Sequence, residues 1–176
     1  MSRLAPIAIA FTMLITPMGS SSHADEQMRT LASGGDWIAL ALSESMIGHP
    51  GLCAAMNVVS QVAFRADNDG IEFRASNAEW FLPVDVADSV QLVIGDWKSS
   101  LEINANSEST VVAGIDADKA GPMFPAMGKA GKMSVTIGKA KLFQVSLNGS
   151  PRVINAFLTC AGIGEASKAP GSNPFE

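Results

Sequence analysis

Residues 58–77, VVSQVAFRADNDGIEFRASN, contain the clearest indication of the fold. The turn sequence Asp67-Asn68-Asp69-Gly70 divides this stretch into two arms, and Gly70 can take the positive φ that closes a type I turn with a bulge. The stretch therefore predicts an antiparallel hairpin. Its strands are expected over Val58 to Ala66 and over Ile71 to Asn77.

The same turn invites a calcium-binding interpretation, because it contains two aspartates and an asparagine. Placing Gly70 at the sixth position of an EF-hand loop puts Arg65 at the first position and Ser76 at the twelfth. Both positions require a carboxylate, which neither residue has. The hairpin is therefore the preferred interpretation.

Short runs of alternating apolar residues lie on both sides of the hairpin. The run DWIALALS, over Asp36 to Ser43, predicts a first strand. The later runs cover Ser89 to Ile94, Leu101 to Ala105, Thr110 to Ile115, Lys132 to Ile137 and Leu142 to Leu147. Such alternation indicates sheets with one buried face, and helices are not expected between every pair of strands. We therefore predict a mainly β protein, an antiparallel β-sandwich or barrel.

Two helices complete the predicted fold. A short helix is expected within Pro122 to Ala130. The other begins at Ser150-Pro151, where the serine can cap the helix and the proline can occupy its first turn. Cys160 lies in the last turn of this helix, before Gly162.

The two ends of the chain are expected to lie outside the domain. Residues 1–24 have the positive start, the apolar run and the small residues that are typical of a secretory signal peptide. A membrane anchor would need roughly 20 apolar residues, more than this interrupted run supplies, and no later span is expected. We predict a flexible leader over 25–35, one β-sandwich domain over 36–164 and a disordered tail over 165–176.

The sequence contains two cysteines, Cys53 and Cys160. In an oxidising compartment they are expected to form a disulfide, which stabilises the fold by about 4 to 5 kcal/mol on the chain-entropy model. The bridge would join the last helix to the loop after the first strand. A redox-active pair would need a C-x-x-C spacing, and a metal site would have only His49 as a further soft ligand.

Few side chains beyond residue 24 are suited to catalysis. His49 is the single histidine there, tyrosine is absent, and no nucleophile-elbow, metalloprotease or phosphate-binding motif occurs. His49 lies in a predicted turn, so a structural role is preferred to that of a general base. Met123, Met127 and Met133 could hold Cu(I), but core packing is the preferred interpretation. We expect no catalytic residue, no cofactor and no metal.

Charge is unevenly divided along the chain. There are 15 acidic and 4 basic residues from Asp25 to Asp118, but six basic and no acidic residues from Lys119 to Arg152. Either the two parts pack together and neutralise each other, or the basic segment meets an anionic partner such as envelope lipid or polysaccharide. The second interpretation makes Lys139 and Lys141 candidate contacts. Nucleic acid is not an expected partner.

A second candidate contact is the aromatic motif Trp80-Phe81-Leu82-Pro83. Aromatic side chains exposed on a β domain can stack on sugars or fill a pocket of a partner protein. The alternative is that the motif, which follows a strand, packs into the core. Trp80 and Phe81 are partner-binding residues on the first interpretation only.

The stretch KLFQVSLNGSPRVINAFLTCA, from Lys141 to Ala161, combines a strand, a Gly-Ser turn and a helix that bears a cysteine. Earlier in the chain come Gly35-Asp36-Trp37, Leu82-Pro83 and the Met/Phe/Ala segment from Met123 to Ala130. This order of elements resembles the invasion-associated locus B family of exported bacterial proteins. The resemblance implies a small β-sandwich without known catalysis, with roles in host-cell interaction or envelope stress.

Taken together, these observations predict an exported, non-catalytic binding protein of the bacterial envelope, either periplasmic or secreted. Its partner would be a protein or an anionic envelope component. Two other functions fit the same residues: an inhibitor or immunity-type module that blocks a secreted hydrolase, and a carrier of a metal or small ligand. An exposed patch near Trp80 favours the binding protein, a projecting rigid loop favours the inhibitor, and a deep polar pocket favours the carrier.

Overall fold

A computed structural model of the chain describes residues 27–43, 51–83, 86–138 and 142–163. The predicted signal peptide and tail lie outside these residues, as do His49, Lys139 and Lys141. The strands are β1 (Gln27–Gly34), β2 (Trp37–Ser43), β3 (Leu52–Asn57), β4 (Val62–Asp67), β5 (Gly70–Ser76), β6 (Asp88–Ile94), β7 (Trp97–Ser107), β8 (Thr110–Ile115), β9 (Lys132–Ile137) and β10 (Phe143–Ser146). The helices are α1 (Ala117–Met127) and α2 (Ser150–Cys160).

These strands form one antiparallel sheet in the order β1-β2-β3-β4-β5-β8-β7-β6-β9-β10. The long strand β7 belongs to two parts of the sheet, because residues 97–103 pair with β6 and residues 104–107 pair with β8. It therefore links the group β1 to β5 and β8 to the group β6, β9 and β10. The fold is mainly β with two helices, as the sequence predicts, and is that of a β-sandwich or open barrel.

Aromatic rings from the sheet and both helices form the centre of the core. The rings of Trp37 and Phe64 stack with their centroids 6.3 Å apart, and Phe64 also meets Phe73 and Phe124 edge-on. Phe124 in α1 lies 5.7 Å from Phe157 in α2. All five side chains are buried, and aromatic pairs of this kind contribute about 0.5 to 1.5 kcal/mol beyond their buried area. This cluster holds the two helices against the sheet.

The hairpin predicted from its turn sequence is formed by β4 and β5. Phe64 pairs with Phe73 across it, and Asp67 pairs with Gly70, which has a φ of 133°. The carboxylate of Asp67 accepts a hydrogen bond of 2.9 Å from the amide of Asp69. The prediction of a hairpin at this turn is confirmed.

Strand β3, directly before this hairpin, was not predicted. It pairs with β2 on one side and β4 on the other, and the turn Val58–Gln61 then leads into β4. The first arm of the hairpin therefore begins at Val62 and not at Val58. The sequence of β3, LCAAMN, has no β-branched or aromatic residue, so its composition does not indicate a strand. Pairing on both sides holds it in the sheet instead.

Residues 27–34 form strand β1, where the sequence analysis expected a flexible leader over 25–35. This strand pairs with β2 along its whole length, with a register shift between Thr30 and Ala32. Met28, Arg29 and Thr30 are exposed, as is normal for an edge strand. Such a strand lacks a clear apolar alternation, so the prediction of a leader was wrong for these residues.

Both predicted helices are present, with one difference at each start. Helix α1 begins at Ala117, before the expected Pro122, and contains two prolines. Helix α2 begins at Ser150 as expected, but its capping residue is Gly149, which has a φ of 80°. The Ser150 side chain is buried, and its hydroxyl has no hydrogen-bond partner among the described residues. The capping role predicted for Ser150 was wrong.

A close backbone approach explains why a glycine precedes α2. A Cβ atom added to Gly34, at the end of β1, would lie 2.7 Å from the carbonyl oxygen of Gly149. Side chains are therefore excluded here, and the positive φ of Gly149 is one that glycine adopts readily. The contact fixes the start of α2 against the turn between β1 and β2.

Cys53 and Cys160 lie at disulfide distance, with their Cα atoms 6.0 Å apart across 107 positions of sequence. Cys53 lies on strand β3 and not in the loop after the first strand that the sequence analysis expected. Helix α2 packs on β1, β2 and β3. The cysteine pair therefore anchors the end of α2 to the sheet that the helix covers.

Candidate functional site

An open groove lies beside Trp80, between the β3–β4 turn, the end of β5 and the start of β10. We call it the Trp80 groove, and its volume is about 410 Å³. It is lined by Ser60, Ser76, Asn77, Trp80, Ile137, Leu142 and Phe143. A volume of this order falls within the range of about 300 to 1,000 Å³ that is usual for ligand pockets.

A second cavity, of about 360 Å³, adjoins the Trp80 groove and shares Trp80 and Ile137 with it. It is lined by Glu79, Trp80, Phe81, Leu82, Val86, Asp88, Ile103, Val111, Ile137 and Gly138. Most of these side chains are apolar, and its two acidic residues are exposed. Trp80 therefore separates two open, mainly apolar depressions of the surface.

Large apolar side chains are exposed around these cavities. Phe81 exposes 87% of its surface, Leu142 exposes 55%, and Val59 in the adjoining β3–β4 turn exposes 72%. Trp80 itself is half-buried and packs against the core. Clustered apolar exposure of this kind marks interaction surfaces more often than single exposed residues do.

Backbone hydrogen bonds hold the segment that carries Trp80. The amide of Trp80 donates to the carbonyl of Asn77 at 3.1 Å, and the Asn77 side chain accepts a bond of 2.9 Å from the amide of Glu79. The amide of Leu82 donates to the carbonyl of Glu108 in the β7–β8 turn at 2.9 Å. Phe81 is therefore displayed between two anchored residues.

Of the four residues that the sequence suggests for partner binding, the structure places two. Trp80 lines both cavities and Phe81 lines the second. Lys139 and Lys141 lie outside the described residues, so their part in the site stays a prediction. In the chain, Lys139 directly follows Gly138 of the second cavity, and Lys141 directly precedes Leu142 of the Trp80 groove.

Hydrogen bonds that the sequence did not predict lie next to the groove, between Ser146 on β10 and two side chains from β2 and β3. The carbonyl oxygen of Ser146 accepts hydrogen bonds from Trp37 Nε1 at 2.7 Å and from Asn57 Nδ2 at 3.3 Å. The other side-chain atom of Asn57, its oxygen, accepts bonds from the amides of Val59 and Ser60 and from the Ser60 hydroxyl. Buried Asn57 thereby connects β10 to the β3–β4 turn.

Two serines line the groove, and both hydroxyls have polar neighbours. The hydroxyl of Ser60 donates to Asn57 Oδ1 at 3.0 Å, and the hydroxyl of Ser76 lies 3.0 Å from that of Thr110. Neither neighbour is a base that could activate a hydroxyl for nucleophilic attack.

The described residues contain three ion pairs, each between residues two or three positions apart in the chain. Arg65 pairs with Asp67, Arg74 with Glu72, and Lys119 with Asp116. The pKa of Lys119 is raised, because its ammonium donates a hydrogen bond to the Asp116 carboxylate at 2.9 Å. Only the Lys119–Asp116 pair joins the acidic part of the chain to the basic part, and it lies at the boundary between them, so ion pairs within the described ranges contribute little to their neutralisation.

The thioethers of three methionines are candidate ligands for Cu(I). Met123, Met127 and Met133 are all fully buried in the core. Within residues 27–43, 51–83, 86–138 and 142–163, no three His, Cys, Asp or Glu side chains lie close enough to hold a metal ion. Among the same residues, no helix is both long and apolar enough to cross a membrane.

No family model matches the chain, and no curated protein matches it. The solved structures that resemble it include the crystal structure of invasion associated protein B from Bartonella henselae, with 15% sequence identity and a TM-score of 0.46. The similarity covers 74% of this chain and 96% of that one. It is a weak structural resemblance.

Proposed function

We propose that the chain is an exported, non-catalytic binding protein that receives an apolar part of a partner protein in the Trp80 groove. The observation that carries this proposal is the position of Trp80, half-buried between two open apolar cavities and next to the fully displayed ring of Phe81. Aromatic side chains in such positions dominate the binding free energy of many protein interfaces.

The surroundings of Trp80 support a binding role because they are fixed before any partner arrives. The hydrogen bonds at Asn77, Trp80 and Leu82 hold the segment in place. A preformed surface loses less conformational entropy on binding than a disordered one. The apolar lining then gains free energy when a partner removes it from water, at about 25 cal/mol per Å².

Export is supported by the cysteine pair and by the signal-like sequence at the start of the chain. Cys53 and Cys160 lie at disulfide distance, and disulfides persist mainly outside the cytoplasm. The non-catalytic character is supported by the groove lining, in which Ser60 and Ser76 face hydroxyl and amide groups. Lys139 and Lys141, next to lining residues in the chain, are candidate contacts for an anionic part of the partner.

Site-specific photo-crosslinking tests the proposal. A photoreactive phenylalanine placed at Phe81 should form a covalent adduct with one partner protein when cells that export the chain are irradiated. The same group at Val93, which is exposed at 42% on β6 and lines neither cavity, is the matched control. An adduct at position 81 that Trp80→Ala abolishes supports the groove. Equal adducts at both positions, or none at position 81, would reject it.

An inhibitor of a secreted hydrolase is a second candidate, favoured by one observation. Phe81 projects with 87% exposure between residues whose backbones are anchored, as the probing residue of an inhibitory loop would. The identity of the adduct separates the two functions. A hydrolase whose activity falls when the purified chain is added indicates the inhibitor, and Phe81→Ala should then restore the activity.

A further inference from the structure

Strand β10 forms one edge of the sheet, and the direction of its backbone groups follows from its pairing with β9. The amide of Leu147 donates to the carbonyl of Gly131 at 3.0 Å, so these two residues form a hydrogen-bonded pair. In an antiparallel ladder such pairs alternate with pairs that are not bonded to each other. Phe143 and Val145 therefore bond to β9, while the amide and carbonyl groups of Gln144 and Ser146 point away from it.

The bonds at Ser146 confirm this direction. Its carbonyl oxygen accepts from Trp37 and Asn57, which lie on the side of β10 opposite β9. The backbone groups of Gln144 point the same way, and among the described strands β10 pairs only with β9. No backbone bond from beyond β9 reaches Gln144 within the part of the chain that the structure describes. The Gln144 amide and carbonyl therefore lie on the open edge without a backbone partner among the described residues.

The open edge runs beside the Trp80 groove. Leu142 and Phe143, which flank Gln144 on its N-terminal side, both line that groove. A strand that paired with β10 would present every second side chain to the same face. A single extended segment could therefore form backbone hydrogen bonds with Gln144 and also place apolar side chains in the groove.

The other edge of the sheet, β1, is less suited to such pairing. Its register is shifted between Thr30 and Ala32, and Arg29 is exposed on it. Irregular register and charged side chains are two devices that block strand addition. Strand β10, with the sequence FQVS, has a regular register and no charged residue.

We infer that the partner binds as an extended peptide segment that adds to the edge of β10 at Gln144 and places apolar side chains in the Trp80 groove. This inference rests on the proposed function and specifies the class of its partner. Pairing is confined to the start of β10, because Trp37 and Asn57 already occupy the carbonyl of Ser146. Few backbone bonds can form there, so burial of apolar side chains in the groove supplies most of the affinity.

A random peptide library displayed on phage and selected against the oxidised protein provides the probe. Synthetic copies of the enriched peptides should carry apolar residues at alternate positions. Gln144→Pro removes the outward amide without removing a bond to β9, so it should weaken their binding by about tenfold. Gln144→Thr keeps the amide and is the matched control, with affinity within about twofold of the wild type.

A second measurement does not depend on the folding of a variant. An enriched peptide that is N-methylated at the residue opposite Gln144 should lose affinity for the unaltered protein, whereas methylation at the next residue should not. If no peptide is enriched, or if Gln144→Pro and N-methylation both leave binding unchanged, strand addition is rejected. If Trp80→Ala alone then weakens binding, the groove still binds its partner without strand addition, and the proposed function survives the failure of this inference.

Discussion

Ser146 and Gln144 lie two residues apart on the same edge of β10, yet their surroundings differ. The carbonyl of Ser146 accepts two side-chain hydrogen bonds, from Trp37 at 2.7 Å and from Asn57 at 3.3 Å. At Gln144 the sheet is open, and the Trp80 groove occupies the space alongside. The C-terminal end of β10 is therefore hydrogen-bonded to side chains from β2 and β3, whereas its N-terminal end borders the Trp80 groove.

The difference shows how an edge strand can be closed without another strand. Exposed strand edges are a liability, because their unpaired groups recruit other chains. Two polar side chains close the C-terminal part of β10, and the short length of the strand limits what remains open. Within the described residues, the part of the β10 edge that stays open lies at Gln144, beside the groove that Trp80 lines.

Among the variants at the C-terminal end of β10 and the helix that follows it, removal of the cysteine pair should lower the free energy of unfolding the most. Helix α2 follows β10 directly, and Cys160 at its end is joined to Cys53 on β3. The double variant Cys53→Ala, Cys160→Ala should therefore lose about 2 to 5 kcal/mol of unfolding free energy. Urea denaturation of the oxidised protein measures the loss, and wild type in reducing buffer should match the variant. Equal stability with and without reductant would mean that the pair does not hold α2.

Asn57→Ala should have the next largest effect. It removes the link to Ser146 and leaves the part-buried amides of Val59 and Ser60 without their acceptor. The expected loss is about 1 to 3 kcal/mol, the cost of unsatisfied buried polar groups. Asn104→Ala, at an exposed position of β7, is the control and should change stability by less than about 0.5 kcal/mol. Similar losses in the two variants would show that the tie at Ser146 contributes nothing.

Trp37→Phe isolates the second bond to Ser146. Phenylalanine keeps much of the stacking on Phe64 but cannot donate a hydrogen bond, so a loss of about 1 kcal/mol from that bond, plus a packing term, is expected. Trp97→Phe, at a half-buried position, controls for the change in ring size. Combining Trp37→Phe with Asn57→Ala should cost more than the sum of the two losses, because each single variant leaves one donor on the Ser146 oxygen and the double variant leaves none.

Gln144→Pro should have a small effect on stability, of about 1 kcal/mol or less, because the lost amide points away from β9. Val145→Pro is the contrasting variant, since it removes a bond to β9 and disturbs a buried side chain. Thermal unfolding should show a clearly lower midpoint for the second variant only. Equal losses would place the Gln144 amide inside the ladder and contradict the open edge.

The smallest effect is expected from Lys139→Glu combined with Lys141→Glu. If these lysines contact an anionic part of the partner, the paired substitution should weaken binding severalfold at low salt and much less at high salt. The stability of the protein should not change. If the variant binds the partner as tightly as the wild type at both low and high salt, the two lysines do not contact the partner.

Much of the fold was predictable because its strands are half-buried and alternate clearly. Runs such as Ser89 to Ile94 and Lys132 to Ile137 match β6 and β9 within one residue. The two missed strands lack this signal: β1 is an exposed edge strand, and β3 has neither β-branched nor aromatic residues. Their place in the sheet depends on pairing with distant segments, which local patterns do not contain.

The candidate site was predictable only in part. Aromatic residues at positions 80 and 81 stand out in the sequence as a motif, although their exposure does not. Asn57 carries no local signal, because its importance comes from meeting Ser146, 89 positions later. The open edge at Gln144 depends in turn on the order of the strands, which leaves β10 with one neighbour.

Amide hydrogen exchange at Gln144, followed by NMR, tests the open edge most directly. In the free protein the Val145 amide should exchange far more slowly than the Gln144 amide, because only Val145 is bonded to β9. Adding a peptide selected against the protein should then slow exchange at Gln144 and leave Val145 unchanged. Equal protection of the two amides in the free protein, or an unprotected Gln144 amide with peptide bound, would contradict the account.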